Sequence, residues 1–272
     1  LVYLAGAILL AGLVTSSAID LELWIIPISI CWFMTAGGII VSAATPLLIS
    51  VGTITTNDLM PFAGPLTGTL SIGGVIGLVI SLLLLKLKVL PESYAMKQEQ
   101  PEDQAGIDPE DEPHYHHRKE IGKEILFLLP IFVCAGLGYW LNYAGPEQWR
   151  WNPTAVHPFL TGVLGAVWGY FIGCGTVWAT RILGTLAFGK EAMGLGDVHL
   201  MGAAGTIIGA QWTVFAFFLA PFFGIGWALF QVITRKSREI PYGPFLSMAI
   251  IAVMIFHDWI EAYFMELYTF QG

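Results

Sequence analysis

LTGTLSIGGVIGLVISLLLLK, residues 66–86, carries no charged side chain before its last position. A bilayer core of ~30 Å takes about 20 apolar residues in helical form, so this run has the length of one membrane crossing. Comparable runs lie near 1–19, 24–44, 124–143, 158–183, 196–210, 213–233 and 243–261. With 56% hydrophobic and only 12% charged residues, and a mean hydropathy of +0.69, the chain is too apolar for an ordinary soluble domain. The fold class predicted is therefore all-α: a polytopic transmembrane helical bundle of about eight spans in a lipid bilayer. The run 196–210 is short and rich in Gly and Ala, and is expected to be surrounded by other helices instead of lipid. Residues 1–19 lack a basic leader, so a signal peptide is a poor reading; a chain opening on Leu1 inside an apolar run is compatible with a segment upstream.

Alternate threading of the spans puts the loops near 20–23, 87–123, 184–195 and 234–242 on one side. Of the twelve Lys and Arg residues, all but Arg150 fall on that side or at its boundary, which the positive-inside rule makes cytoplasmic. Three parts follow: a transmembrane part over 1–87, a polar insertion over 88–123, and a second transmembrane part over 124–272. The insertion is rich in Glu, Asp, Pro and Gln and is predicted to be mobile; the polar segment 92–124 carries most of the net charge of −8, which reports on a loop and gives no reason to expect nucleic acid as a partner. His114, His116 and His117 read as a solvated cluster, and Cys31, Cys134 and Cys174 as packing residues, so no metal is expected. Trp149 and Trp151 suit an interfacial aromatic belt.

Acids at or inside membrane helices are functional candidates by default. Asp20 ends the first run in SAIDLELWIIP, and Asp197 opens the sixth in GLGDVHLMGAAG, on the same predicted side. Two carboxyls in one low-dielectric cavity do not both ionise readily, so one keeps its proton while the other acts as a base. That arrangement suits acid–base hydrolysis without a cofactor. Gly194 and Gly196 remove bulk beside Asp197 and permit an irregular backbone that an extended strand can approach. Each acid also has a plain structural reading: Asp197 as the N-cap of the helix it opens, and Asp20 as an interfacial acid at a helix end.

The run GLGDVHLMGAAGTIIGA resembles the Gly-x-Gly-Asp signature of the type IV prepilin peptidases, and IDLELWIIP, with Asp20 and Pro27, resembles that family's first motif. REIPYGPFLSMA and HPFLTGVLGAVWGYFIG resemble two further landmarks in the expected order. The resemblance implies an aspartyl endopeptidase of the bacterial inner membrane with Asp20 and Asp197 as its catalytic pair. Its implied partners are prepilins or pseudopilins, cut at the cytoplasmic face after a short basic leader, their apolar helix arriving through the bilayer. Three features depart from the pattern. Ile28 stands where an Asp often follows the motif Pro, His199 stands where Lys is common, and residues 45–125 have no evident counterpart. The paired Cys-x-x-Cys motifs of an N-terminal methyltransferase region are absent from these residues, so N-methylation is not expected. Two other readings of the same acids are a proton-coupled transporter and an inactive peptidase-like scaffold.

Overall fold

A computed structural model describes residues 2–48, 59–91, 117–143, 152–234 and 241–269. Residues 92–116 of the polar insertion, with His114 and His116, lie outside the described residues, as does the 144–151 segment with Trp149 and Trp151. Among the described residues there is no strand. The helices are α1 (Val2–Leu23), α2 (Ile28–Leu48), α3 (Pro65–Lys86), α4 (His117–Tyr143), α5 (Pro158–Phe188), α6 (Leu195–Thr234) and α7 (Gly243–Thr269), with a 3₁₀ turn at Pro153–Ala155. Seven are long and apolar enough to cross a membrane, and the protein is a multi-pass membrane protein.

The difference between eight runs and seven helices has one cause. The connection expected at 211–212 is not a loop; α6 continues through it and is broken at Gly209, whose φ of 77° and ψ of 169° lie outside helical space. That combination is essentially restricted to glycine. At ~1.5 Å per residue the segment from Leu195 to the break is roughly 20 Å long, too short to cross ~30 Å of hydrocarbon. As expected for such a segment, its side chains are covered: Val198, Leu200, Met201, Ala203, Ala204 and Ile207 are all buried.

The chain forms two compact units. One holds Leu1–Gly68, Asn152–Val177 and Gly196–Gly272. In it α1 packs on α2 and α7. The first part of α5 lies backbone to backbone against α6, because a Cβ at Gly169 would overlap the Gly205 carbonyl and one at Gly205 would overlap that of Gly169. Such approach is how helices associate where lipid removes the usual hydrophobic drive. The Ser42 hydroxyl donates to the Thr206 carbonyl at 3.3 Å, tying α2 to the same segment.

The second unit holds Thr69–Trp151 and Trp178–Leu195. Here α3 and α4 meet along small residues: a Cβ at Gly73 or Gly77 would strike the backbone of Cys134 or Ile131. Pro130 lacks an N–H and perturbs the α4 ladder one turn back. The Ser81 hydroxyl supplies a donor there, to the Phe127 carbonyl at 2.7 Å. Outward side chains of α4 such as Phe132 and Leu137 are exposed and apolar, as a lipid-facing surface requires.

Candidate active site

Helix α1 runs further than its apolar stretch, so Asp20 sits inside its last turn, 4% exposed, instead of just beyond it. The helix ends where Trp24 adopts φ 60° and donates its N–H to the Asp20 carbonyl at 3.0 Å. Ile25, Ile26 and Pro27 lie outside both helices, as expected just before and at a proline. The Pro27 carbonyl then accepts from Ile30 N–H at 3.1 Å, so the motif proline starts α2. Ile28 is the first residue of that helix.

Asp197 is 8% exposed and lies in the first turn of α6. The helix begins at Leu195, so Asp197 is within that turn and not the N-cap that one reading of the sequence placed there. Gly194 is exposed in the approach to the helix, and Gly196 is half-buried. A Cβ at Gly196 would stand 2.8 Å from Ile26 Cβ, so Gly196 lets the Ile26 segment lie against the start of α6.

Asp20 lies against Gly243, the first residue of α7, and the charge of Asp197 reaches its neighbour Tyr242. The Gly243 N–H donates to the Asp20 carboxylate. A Cβ there would overlap Asp20 Oδ2 and lie 3.1 Å from Ile26 Cδ1. The phenol of Tyr242 is held up at about 12 by burial and, second, by the nearby negative charge of Asp197. Ile26 touches both Gly196 and Gly243, closing the cluster between the two acids. Each carboxylate thus lies at a helix N-terminus, Asp197 in the first turn of α6 and Asp20 on the first N–H of α7. The positive ends of those helices offset part of the penalty of burying the acids.

His199, two residues after Asp197, is ~200° around the helix from it. Its Nδ1 lies 3.3 Å from the Tyr170 hydroxyl, and its ring packs on Trp32 with centroids 6.0 Å apart. The Cys174 thiol donates to the Val198 carbonyl at 3.4 Å on the same side. His199 therefore braces α6 against α5 and α2, and does not face the Tyr242–Gly243 turn. Tyr242, Gly243 and Ile26 were not singled out as site residues in the sequence. The signal available was the Pro-Tyr-Gly-Pro run over 241–244, which the motifs mark as a family landmark at a helix start but not as part of the site.

Residues 125–229 match the Type IV leader peptidase family. The match takes in Asp197 and His199 and leaves Asp20 outside. A protein of Aeromonas salmonicida (strain A449) named prepilin leader peptidase/N-methyltransferase is 30% identical over 112 residues, 40% of this chain and 37% of that one. A namesake in Aeromonas hydrophila is 33% identical over 107 residues, 38% of this chain and 35% of the relative. A third, in Escherichia coli (strain K12), is 32% identical over 98 residues, 35% of this chain and 44% of the relative. The chain thus spans between about a third and somewhat under a half of the length of the curated relatives it matches. No solved structure matches it. The family expected from the motifs is the one found.

Proposed function

We propose, from the premise that this chain belongs with the type IV leader peptidases, that it is an aspartyl endopeptidase that removes the basic leader from prepilins or pseudopilins. The observation that carries this reading is that Asp20 lies against Gly243 while the charge of Asp197 reaches the adjacent Tyr242, with both acids buried and each at a helix N-terminus. The reading requires that one carboxyl be ionised while the other holds a proton. The ionised member takes a proton from a water whose oxygen attacks the scissile carbonyl carbon. The protonated member gives its proton to the carbonyl oxygen, which becomes a hydroxyl of the tetrahedral diol and returns that proton when the carbonyl re-forms. Collapse of the tetrahedral intermediate breaks the C–N bond, and the leaving amine receives the proton the base had taken. Gly194, exposed and without a side chain, leaves the approach to Asp197 open to an extended backbone, which a peptide must adopt to present its carbonyl.

The distribution of Lys and Arg supports a site at the cytoplasmic face of a bacterial inner membrane. A substrate with a basic leader and an apolar helix fits that position: the helix stays in the bilayer while the leader junction reaches the rim. The experiment is incubation of the purified protein, in lipid, with a synthetic prepilin carrying its leader, followed by mass determination of the products. A single cut at the leader junction is expected. Intact substrate after prolonged incubation with folded protein overturns the reading.

A further inference from the structure

Charge buried among apolar helices is retained for a reason other than net stability, since desolvation offsets most of what an ion pair gains. The second unit holds such a cluster among the described residues. Arg181 of α5 is 5% exposed and Glu124 of α4 is 3% exposed. Arg181 Nε lies 3.3 Å from each Glu124 oxygen, and Nη2 lies 3.2 Å from Oε1. Trp178 Nε1 donates to Glu124 Oε2 at 2.9 Å, so the carboxylate is held on both sides. The remaining arm of the guanidinium turns to the connection between α5 and α6. Nη1 donates to Glu191 Oε1 at 2.5 Å and to the Met193 carbonyl. The same connection is pinned to α5 a turn later, Ala192 N–H donating to Thr185 Oγ1 at 3.3 Å and Gly189 N–H to the Thr185 carbonyl at 2.8 Å.

One planar fork therefore fastens α4, α5 and the 189–194 connection together, a task a lysine's single point charge does not perform. The last residue it grips, Met193, is four positions before Asp197 and one before Gly194. Only Gly194 separates the held Met193 from Leu195, where the helix that carries Asp197 begins. We infer that Arg181 is a positioning residue: by holding the Met193 carbonyl and Glu191 against Glu124, it fixes the segment through which the chain enters Asp197. This rests on the peptidase reading above for its effect on rate, but not for its effect on the connection.

The test compares wild type, Arg181→Gln, Glu124→Gln, the double variant and Arg181→Lys in lipid. Two readouts are taken: cleavage of a synthetic prepilin, and hydrogen exchange over residues 189–196. In Arg181→Gln, kcat is expected to fall about 100-fold, the effect of an ångström-scale misplacement, with KM little changed and faster exchange over 189–196. Arg181→Lys is expected to recover only part of that loss. The double variant, which leaves no buried unpaired charge, is expected to regain thermal stability over the single variants while kcat stays low. Recovery of both stability and kcat in the double variant, or wild-type kcat in Arg181→Gln, overturns the inference. If wild-type protein cuts nothing, the peptidase reading has failed by itself; faster exchange in Arg181→Gln then still supports the clamp, and unchanged exchange refutes it.

Discussion

Replacing Gly243 by alanine separates the site's geometry from the protein's stability. The added methyl would overlap Asp20 Oδ2, stand 3.3 Å from its Cγ, and lie 3.1 Å from Ile26 Cδ1. Non-bonded carbons sit best at ~3.5–4.0 Å, and Ile26 closes the other side, so the carboxylate has to yield, by roughly 1 Å. A shift of that size takes a catalytic group out of attack geometry and lowers kcat by about 100-fold, equivalent to ~2.7 kcal/mol of transition-state stabilisation. Global stability is affected differently. At the first position of a helix, exchange of Gly for Ala restricts the unfolded chain and contributes ~0.4–1 kcal/mol, which opposes the local crowding. The assay is the initial rate of prepilin cleavage beside the thermal unfolding midpoint of the same preparation. A rate down by about two orders of magnitude with the midpoint shifted by only a few degrees is expected. Wild-type cleavage by Gly243→Ala, or a loss that merely follows the amount of folded protein, would refute the placement of Asp20 against this turn.

The raised phenol of Tyr242 gives a signed pH prediction: below pH ~10 it is neutral in folded and unfolded chains, and between 10 and about 12 only the folded chain keeps the proton. Stability is therefore lost as pH rises through that window, and the unfolding midpoint of wild type should drop more steeply there than that of Tyr242→Phe; parallel curves would contradict it. Gly209→Ala forces a side chain into a φ/ψ region essentially restricted to glycine and should destabilise by about 1–3 kcal/mol in chemical or thermal unfolding, with an unchanged melt counting against the break in α6. His199→Lys should retain cleavage within about tenfold, since that side chain is ~200° around α6 from Asp197. Complete loss of cleavage in a folded His199→Lys protein would mean that its contact with Tyr170 reaches the chemistry.

The sequence made the helices legible because lipid demands length and apolarity of each one, and runs such as 66–86 have both. It was less informative where a helix ends. Asp20 follows the apolar stretch yet remains in the last turn of α1, since helical hydrogen bonding persists until Trp24 turns the chain at positive φ. The break in α6 was expected two residues beyond Gly209, because polar Gln211 and aromatic Trp212 suggested a connection while the residue that bends is an unmarked glycine. The acids of the site were legible because carboxylates are rare in such a chain. Their surroundings were not, because Gly243 acts through its N–H and the absence of a side chain, neither of which has a sequence signature at a distance of more than two hundred positions. Arg181 and Glu124 were hidden differently: each reads as a boundary charge on its own helix, and only packing shows them 57 positions apart in sequence and in contact.

In the proposed function, Asp20 and Asp197 act together on one peptide bond. Its most direct test is the initial rate of leader cleavage by wild type, Asp20→Asn and Asp197→Asn, each reconstituted in lipid and shown to be folded by its unfolding midpoint. The account predicts cleavage by wild type and none above background by either variant. Measurable turnover by a folded Asp20→Asn or Asp197→Asn protein would contradict it.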